Sequence, residues 1–361
     1  MATNAAAPRK TRLDGLQWGR ALAALLVVAC HAIVHPLPDL PAFAVYLGDV
    51  GVSIFFVISG FIMVTTTGRG GFDPWLFIRR RIVRVVPLYY LALAVVVGFA
   101  LFLPSLMKST QFDLPHLLFS MAFIPTYAPD TGAILPLYKL GWTLNFEMFF
   151  YAVFAALSFL SLRGRVLTII CLFAVMAVIG AQVQFDSAAL EFYTRMDVLA
   201  FAAGVAIAFV KNWRQWSVTP LVGLVLFAGA VVALCAIFMV FGSMRGSALA
   251  HFLAIAACAV LVVVFACYEH IGGRASRLAI LLGDASYALY LFHIFVVAGI
   301  WWLAGLVFGP VAGLAYLAIV ALAITASVIA CTIIHIVVER PVTRILTEMF
   351  ASRPKAVPLT P

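Results

Sequence analysis

The chain has 361 residues, of which 65% are hydrophobic and only 10% charged, with a formal net charge of +9. Soluble globular domains carry about 25% charged residues, so that class is excluded. An all-α, polytopic membrane protein is predicted instead, because each bilayer-crossing helix needs about 20 largely apolar residues.

Ten candidate spans follow in order at 16–34, 49–67, 82–104, 142–161, 166–183, 196–210, 219–241, 248–268, 284–305 and 311–338, the sixth of them short. Residues 1–15 read as a polar, basic leading segment, 16–345 as one membrane domain and 346–361 as a tail. The leading segment resembles the start of a signal sequence, but no convincing small-residue cleavage site follows, so the first span is expected to be retained.

The first span, LQWGRALAALLVVACHAIV, carries Arg20 and His31. Eleven positions are about three helical turns, which puts both side chains on one face about 16 Å apart. Ionisable groups at membrane depth cost on the order of 3 kcal/mol each and mark an aqueous cavity or a functional site. The second span, GVSIFFVISGFIM, offers Ser53 and Ser59 beside Gly60, a pattern suited first to close helix packing. The third opens IRRRIVRVVPLYY. Its Arg79 and Arg80 suit lipid headgroups, whereas Arg81 and Arg84 share a face, and clustered guanidiniums at a helix end suit phosphate.

The longest connection, 105–141, contains DLPHLLFSMAFI at 113–124, read as a re-entrant or interfacial helix within an ordered cap. The fourth span starts at Trp142 and places Glu147 about 7 Å along the helix, at a depth comparable to His31. A carboxylate reaching an imidazole fixes its tautomer and raises its basicity; the same pair could instead only lock two helices together. Asp197 begins the sixth span. In the ninth, GDASYALYLFHIFV, Asp284 and Ser286 are expected as N-caps, while His293 either packs helices or lines a cavity. Glu339, Arg340 and Pro341 after the tenth are expected to end a helix.

Of the 23 Lys and Arg, all but Lys108, Lys139, Arg195 and Arg245 fall on the side of the termini, which predicts cytoplasmic termini and makes the positive charge a matter of topology. Nucleic-acid binding is not needed to explain it. The six cysteines lie in apolar segments without ligand spacing, and the histidines show no metal-site pattern, so no metal is expected.

Taken together, Arg20 with His31, FFVISGF from Phe55, RIVR from Arg81, WTLNFEMFFY from Trp142, SYALYLFH from Ser286 and ERP from Glu339 resemble the membrane-bound acyltransferase-3 family, and most closely its exopolysaccharide O-acetyltransferases. Many members carry an acid where this chain has Ser53, so no carboxylate role transfers there. The resemblance implies an acyltransferase (EC 2.3.1.-) of the bacterial inner membrane. It would move an acyl group, usually acetyl, from cytoplasmic acetyl-CoA to a hydroxyl of a polysaccharide or lipid-linked sugar. On that reading His31 and Glu147 are catalytic, and Arg20, Arg81 and Arg84 hold the donor. Ser59, Trp142, Asn145, Tyr151, Tyr287 and His293 line the substrate path. Two other classes use the same intramembrane groups: a proton-coupled secondary transporter and a non-catalytic component of a polysaccharide-export complex. The inverted repeats and paired broken helices of the first are not visible.

Overall fold

The computed structural model describes residues 14–37, 39–67, 71–106, 110–214, 218–267 and 274–350. The expectations for the leading segment before Asp14 and for the tail beyond Phe350 fall outside these residues. The described residues form helices and no strand, apart from one isolated bridge between Tyr127 and Ile134. In order they are α1 (Asp14–Val34), α2 (Ala42–Thr67), α3 (Pro74–Phe102), α4 (Leu114–Met121), α5 (Trp142–Ala156), α6 (Leu162–Gln182) and α7 (Ala188–Tyr193). Then come α8 (Val198–Arg214), α9 (Pro220–Phe241), α10 (Ala248–Cys267), α11 (Arg274–Asp284), α12 (Ser286–Phe308), α13 (Gly313–Ile334) and α14 (Arg340–Phe350).

Among the described residues nine helical stretches are long and apolar enough to cross a membrane. The sixth expected span, α8, is apolar but has only 17 residues. α2 and α3 begin about two turns before their expected starts; in α3 the added turns carry Arg79, Arg80 and Arg81, because basic residues continue a helix as readily as apolar ones once its start is capped. Asp73 provides such a start for α3: its carboxylate accepts from Leu76 N at 3.0 Å, with Pro74 in the first turn. Asp113 does the same for α4, accepting from His116 N at 2.7 Å, and Thr219 caps α9 ahead of Pro220. The helix expected within 113–124 thus forms, as eight residues held to α3 by the hydroxyls of Tyr89 and Tyr90, which donate to Ser120 O and Met121 O.

α2 is the most buried of the spans and α9 among the most exposed, its Leu221, Leu224, Val232 and Met239 facing outward as lipid-contacting residues would. Around α2 pack α1, α5, α8 and α10. The α2–α8 crossing is backbone against backbone. A Cβ on Gly60 would sit 2.2 Å from Phe201 O, and one on Gly204 would sit 1.9 Å from Val57 O. Small residues at both faces are what lets two helices approach this closely without a hydrophobic drive between them.

Two expectations about helix ends are corrected. Asp284 and Ser286 are not N-caps: α11 runs to Asp284, Ala285 takes the cap position in a helical conformation, and the Ser286 hydroxyl caps nothing. Nor does the helix end at Glu339–Pro341. A single π turn, His335–Glu339, carries α13 into α14, with Arg340 N bonded to His335 O. Pro341 follows directly on the π turn, whose altered bonding absorbs the change of register and makes room for the ring in a continuous helix.

Candidate active site

α1, α2, α3, α5 and α12 converge on a narrow internal chamber of about 90 Å³. Arg20, Ser59, Arg81, Arg84, Glu147, Tyr151 and Tyr287 all line it, with Thr143, Ser286 and Tyr290. Seven of the site residues expected from the sequence therefore meet in one space, although they come from five helices. Local geometry explains their orientation. Arg81 and Arg84 lie three apart on α3, Glu147 and Tyr151 four apart on α5, and Tyr287 and Tyr290 three apart on α12, so each pair presents one face.

Glu147 is bonded within this chamber. The Tyr151 hydroxyl donates to it, and Ser59 Oγ lies 3.5 Å from Oε1. Arg81 lies over the rings of Phe77 and Tyr151 at 5.3 and 5.4 Å, while its Nη2 donates to Thr66 at 3.2 Å. Its Nε is buried without a partner, and so is Ser286 Oγ, so two chamber residues carry unused polar atoms. Arg20 is 8% exposed and donates to Gln17 Oε1 at 3.3 Å, one bond for a group with five N–H donors. Three guanidiniums facing one carboxylate leave an excess of positive charge, an arrangement that favours an anionic ligand.

Arg20 and Arg84 also stand in the wall of a second, larger vestibule of about 820 Å³. Gln17 and Asp284 contribute to it, with His335 and Glu339 from the π turn and Arg340, Thr343, Arg344, Thr347 and Glu348 from one face of α14. His335 Nδ1 and Glu339 Oε2 are 2.8 Å apart. The chamber and the vestibule adjoin through the two shared arginines.

His31 lies at the other end of α1 and its partner is not Glu147. The ring meets His293 of α12, with His293 Nε2 3.1 Å from His31 Nδ1 and ring centroids 5.0 Å apart. Glu147 belongs instead to the Ser59 and Tyr151 side of the chamber, because α5 packs along α2 and α3. Equal depth from one surface sets height, not which helices are neighbours. Tyr290 links the two regions. Its hydroxyl donates to Leu140 O at 2.8 Å and receives from Thr143 Oγ1 at 2.7 Å, and its ring lies 6.5 Å from that of His293.

Trp142 and Asn145 do not line the chamber. Trp142 packs edge-on against Phe56 and Phe146 and lies under the Arg245 guanidinium at 5.1 Å. Arg245, in the turn after α9, is bonded to Asp49 at 2.9 Å. Burial opposes its charge, but Asp49 and Asp197 outweigh burial and raise its pKa above the ordinary value. Among the described residues no group of three His, Cys, Asp or Glu is placed to hold a metal ion.

Sequence reasoning missed Tyr290, Thr143 and the His335–Glu339 pair. Tyr290 was within reach, being three residues before His293 and hence on its face of the helix. The His31–His293 contact spans 262 positions, and no local spacing reports it.

A family model described as an acyltransferase domain matches residues 13–336. The chain is 39% identical to the exopolysaccharide production protein ExoZ of Rhizobium meliloti strain 1021, over 70% of this chain and 77% of that protein. It is 26% identical to the acyltransferase MdmB of Streptomyces mycarofaciens over 94% of each chain. Over 47% of this chain and 93% of the relative, it is 30% identical to protein 2 in the picA locus of Rhizobium radiobacter. No solved structure matches.

Proposed function

The chain belongs to the acyltransferase-3 family and is a multi-pass membrane acyltransferase, and from that premise we propose that it carries acetyl groups from cytoplasmic acetyl-CoA to hydroxyls of a polysaccharide or lipid-linked sugar at the outer face of the bacterial inner membrane. The observation that carries this reading is the sequence of spaces along α1. A roomy vestibule walled by four arginines and three carboxylates adjoins a narrow polar chamber at Arg20 and Arg84, and beyond Tyr290 lies the His31–His293 pair.

In this reading the termini and the vestibule are cytoplasmic, in line with the basic residues on that side. The nucleotide end of the donor occupies the vestibule, where Arg84, Arg340 and Arg344 meet its phosphates. The pantetheine arm threads the chamber past Arg20 and Arg81, bringing the thioester toward Tyr290. His31 removes the proton of the acceptor hydroxyl as the oxygen attacks the thioester carbon, and returns it to the departing thiolate. Glu147, held by Tyr151 and Ser59, offsets part of the arginine charge and sets the chamber's polarity where the arm passes.

Kinship to an exopolysaccharide production protein supports a glycan acceptor. The test is mass spectrometry of surface polysaccharide from bacterial cells with and without the protein. An acetyl increment that appears only with the protein, and is lost with His31→Ala, is expected. Identical polysaccharide in the two strains would refute the acceptor assignment.

A further inference from the structure

We propose that His293 is a positioning residue for His31: its Nε2 accepts a hydrogen bond from His31 Nδ1 and so leaves His31 Nε2 as the proton-accepting atom. This rests on His31 acting as the base. The assignment follows from which atoms can donate.

His293 Nδ1 lies 2.8 Å from Leu289 O, the carbonyl one turn back on its own helix. A carbonyl only accepts, so the proton of the neutral ring is on Nδ1 and His293 Nε2 is a bare lone pair. That lone pair lies 3.1 Å from His31 Nδ1. His31 Nδ1 is also 2.9 Å from Val27 O, again a pure acceptor. It therefore carries the His31 proton and shares it between the two. His31 Nε2 has no hydrogen bond to any described residue and holds the free lone pair. It is not among the buried polar atoms left without a partner, so it lies at an accessible surface.

The step balances with these groups alone. The acceptor O–H bond breaks toward His31 Nε2 while its oxygen bonds to the thioester carbon. The C–S bond then breaks, and the Nε2 proton passes to the sulfur. Between these events His31 is an imidazolium, and its Nδ1–H points at the His293 lone pair. In hydrolases a carboxylate commonly fills this place. Here a neutral imidazole does, one that is completely buried and pinned to its own helix, so no second charge has to be buried beside the donor path.

His293→Phe keeps the ring and removes the acceptor, while His293→Gln puts a carbonyl oxygen close to where Nε2 stood. Both are made in the full chain in lipid nanodiscs and assayed with acetyl-CoA and de-O-acetylated surface polysaccharide. The expected result for His293→Phe is a fall in kcat of about 10- to 100-fold, by analogy with the loss of an outer hydrogen-bond partner of a metal-ligating histidine, with little change in KM for acetyl-CoA. His293→Gln recovers most of it, which a purely space-filling role would not produce. Nitrogen-15 NMR of histidine-labelled protein, with His31→Ala to assign the signal, should show His31 protonated at Nδ1 and bare at Nε2. This measurement needs no substitution at His293 and stands if His293→Phe fails to fold. Full kcat in His293→Phe, or a proton on His31 Nε2, overturns the proposal. Full activity in His31→Ala instead overturns the base assignment on which it rests.

Discussion

Replacing Gly204 by alanine tests whether α2 and α8 meet as closely as described and whether the chamber depends on it. The new Cβ would lie 1.9 Å from Val57 O and 2.8 Å from Phe61 N, both backbone atoms of α2. Ordinary contact begins at 3.4 Å, so the helices must separate by about 1.5 Å, and neither side offers a flexible side-chain tip that could yield. Overpacking of this kind costs about 1–3 kcal/mol, and a clash confined to backbone belongs at the upper end. Ser59 lies between Val57 and Phe61 on the same helix, and its link to Glu147 is already long at 3.5 Å, so that contact breaks. A displacement of about 1 Å at a reacting site can lower turnover on the order of 100-fold. The assay pairs thermal unfolding in nanodiscs with acetyl-CoA-dependent transfer. Gly229→Ala on α9, where nothing lies within 4 Å, is the control and should gain up to about 1 kcal/mol. Gly204→Ala with unchanged unfolding temperature and turnover would refute the packing argument.

Three further outcomes follow from the same geometry. Arg84→Met should raise the KM for acetyl-CoA by about 10- to 100-fold, the equivalent of one charge-assisted hydrogen bond of roughly 1.5–3 kcal/mol, with kcat little changed; Arg84→Lys should recover only part, because an ammonium lacks the planar fork. Arg344→Gln should weaken acetyl-CoA in the same way yet leave turnover of acetyl-pantetheine, which has no nucleotide, as in the parent protein; equal effects on both donors would place the nucleotide elsewhere. Arg245→Ala should destabilise the protein by about 1–3 kcal/mol, since it leaves the mostly buried Asp49 carboxylate without its partner, and Asp49→Asn in the same chain should restore most of the loss in an unfolding titration.

The helices were legible in the sequence because a bilayer demands long apolar runs, and that signal is strong enough to locate every span to within about two turns. The exceptions are polar. α3 starts at Pro74 because Asp73 caps it, which a hydropathy window cannot register. The continuation through Glu339, Arg340 and Pro341 was hidden because a proline usually ends a helix, and only a π turn makes room for it here. The site was legible in part for a related reason. Ionisable residues in apolar helices are rare, so Arg20, Arg84 and Glu147 stood out one by one. Their partners did not, since depth along a helix says nothing about lateral neighbours. Glu147 went to Ser59 and Tyr151, and His31 went to His293.

The most direct test of the central claim reconstitutes the protein in sealed vesicles with one orientation selected. Labelled acetyl-CoA is added on the vestibule side, identified by a tag on the chain terminus, and de-O-acetylated polysaccharide is enclosed on the other. Label should appear on the enclosed polysaccharide with the parent protein and be absent with His31→Ala, although that variant still binds acetyl-CoA. Label transfer by His31→Ala at the parent rate, or transfer only when donor and acceptor share one side, would contradict the account.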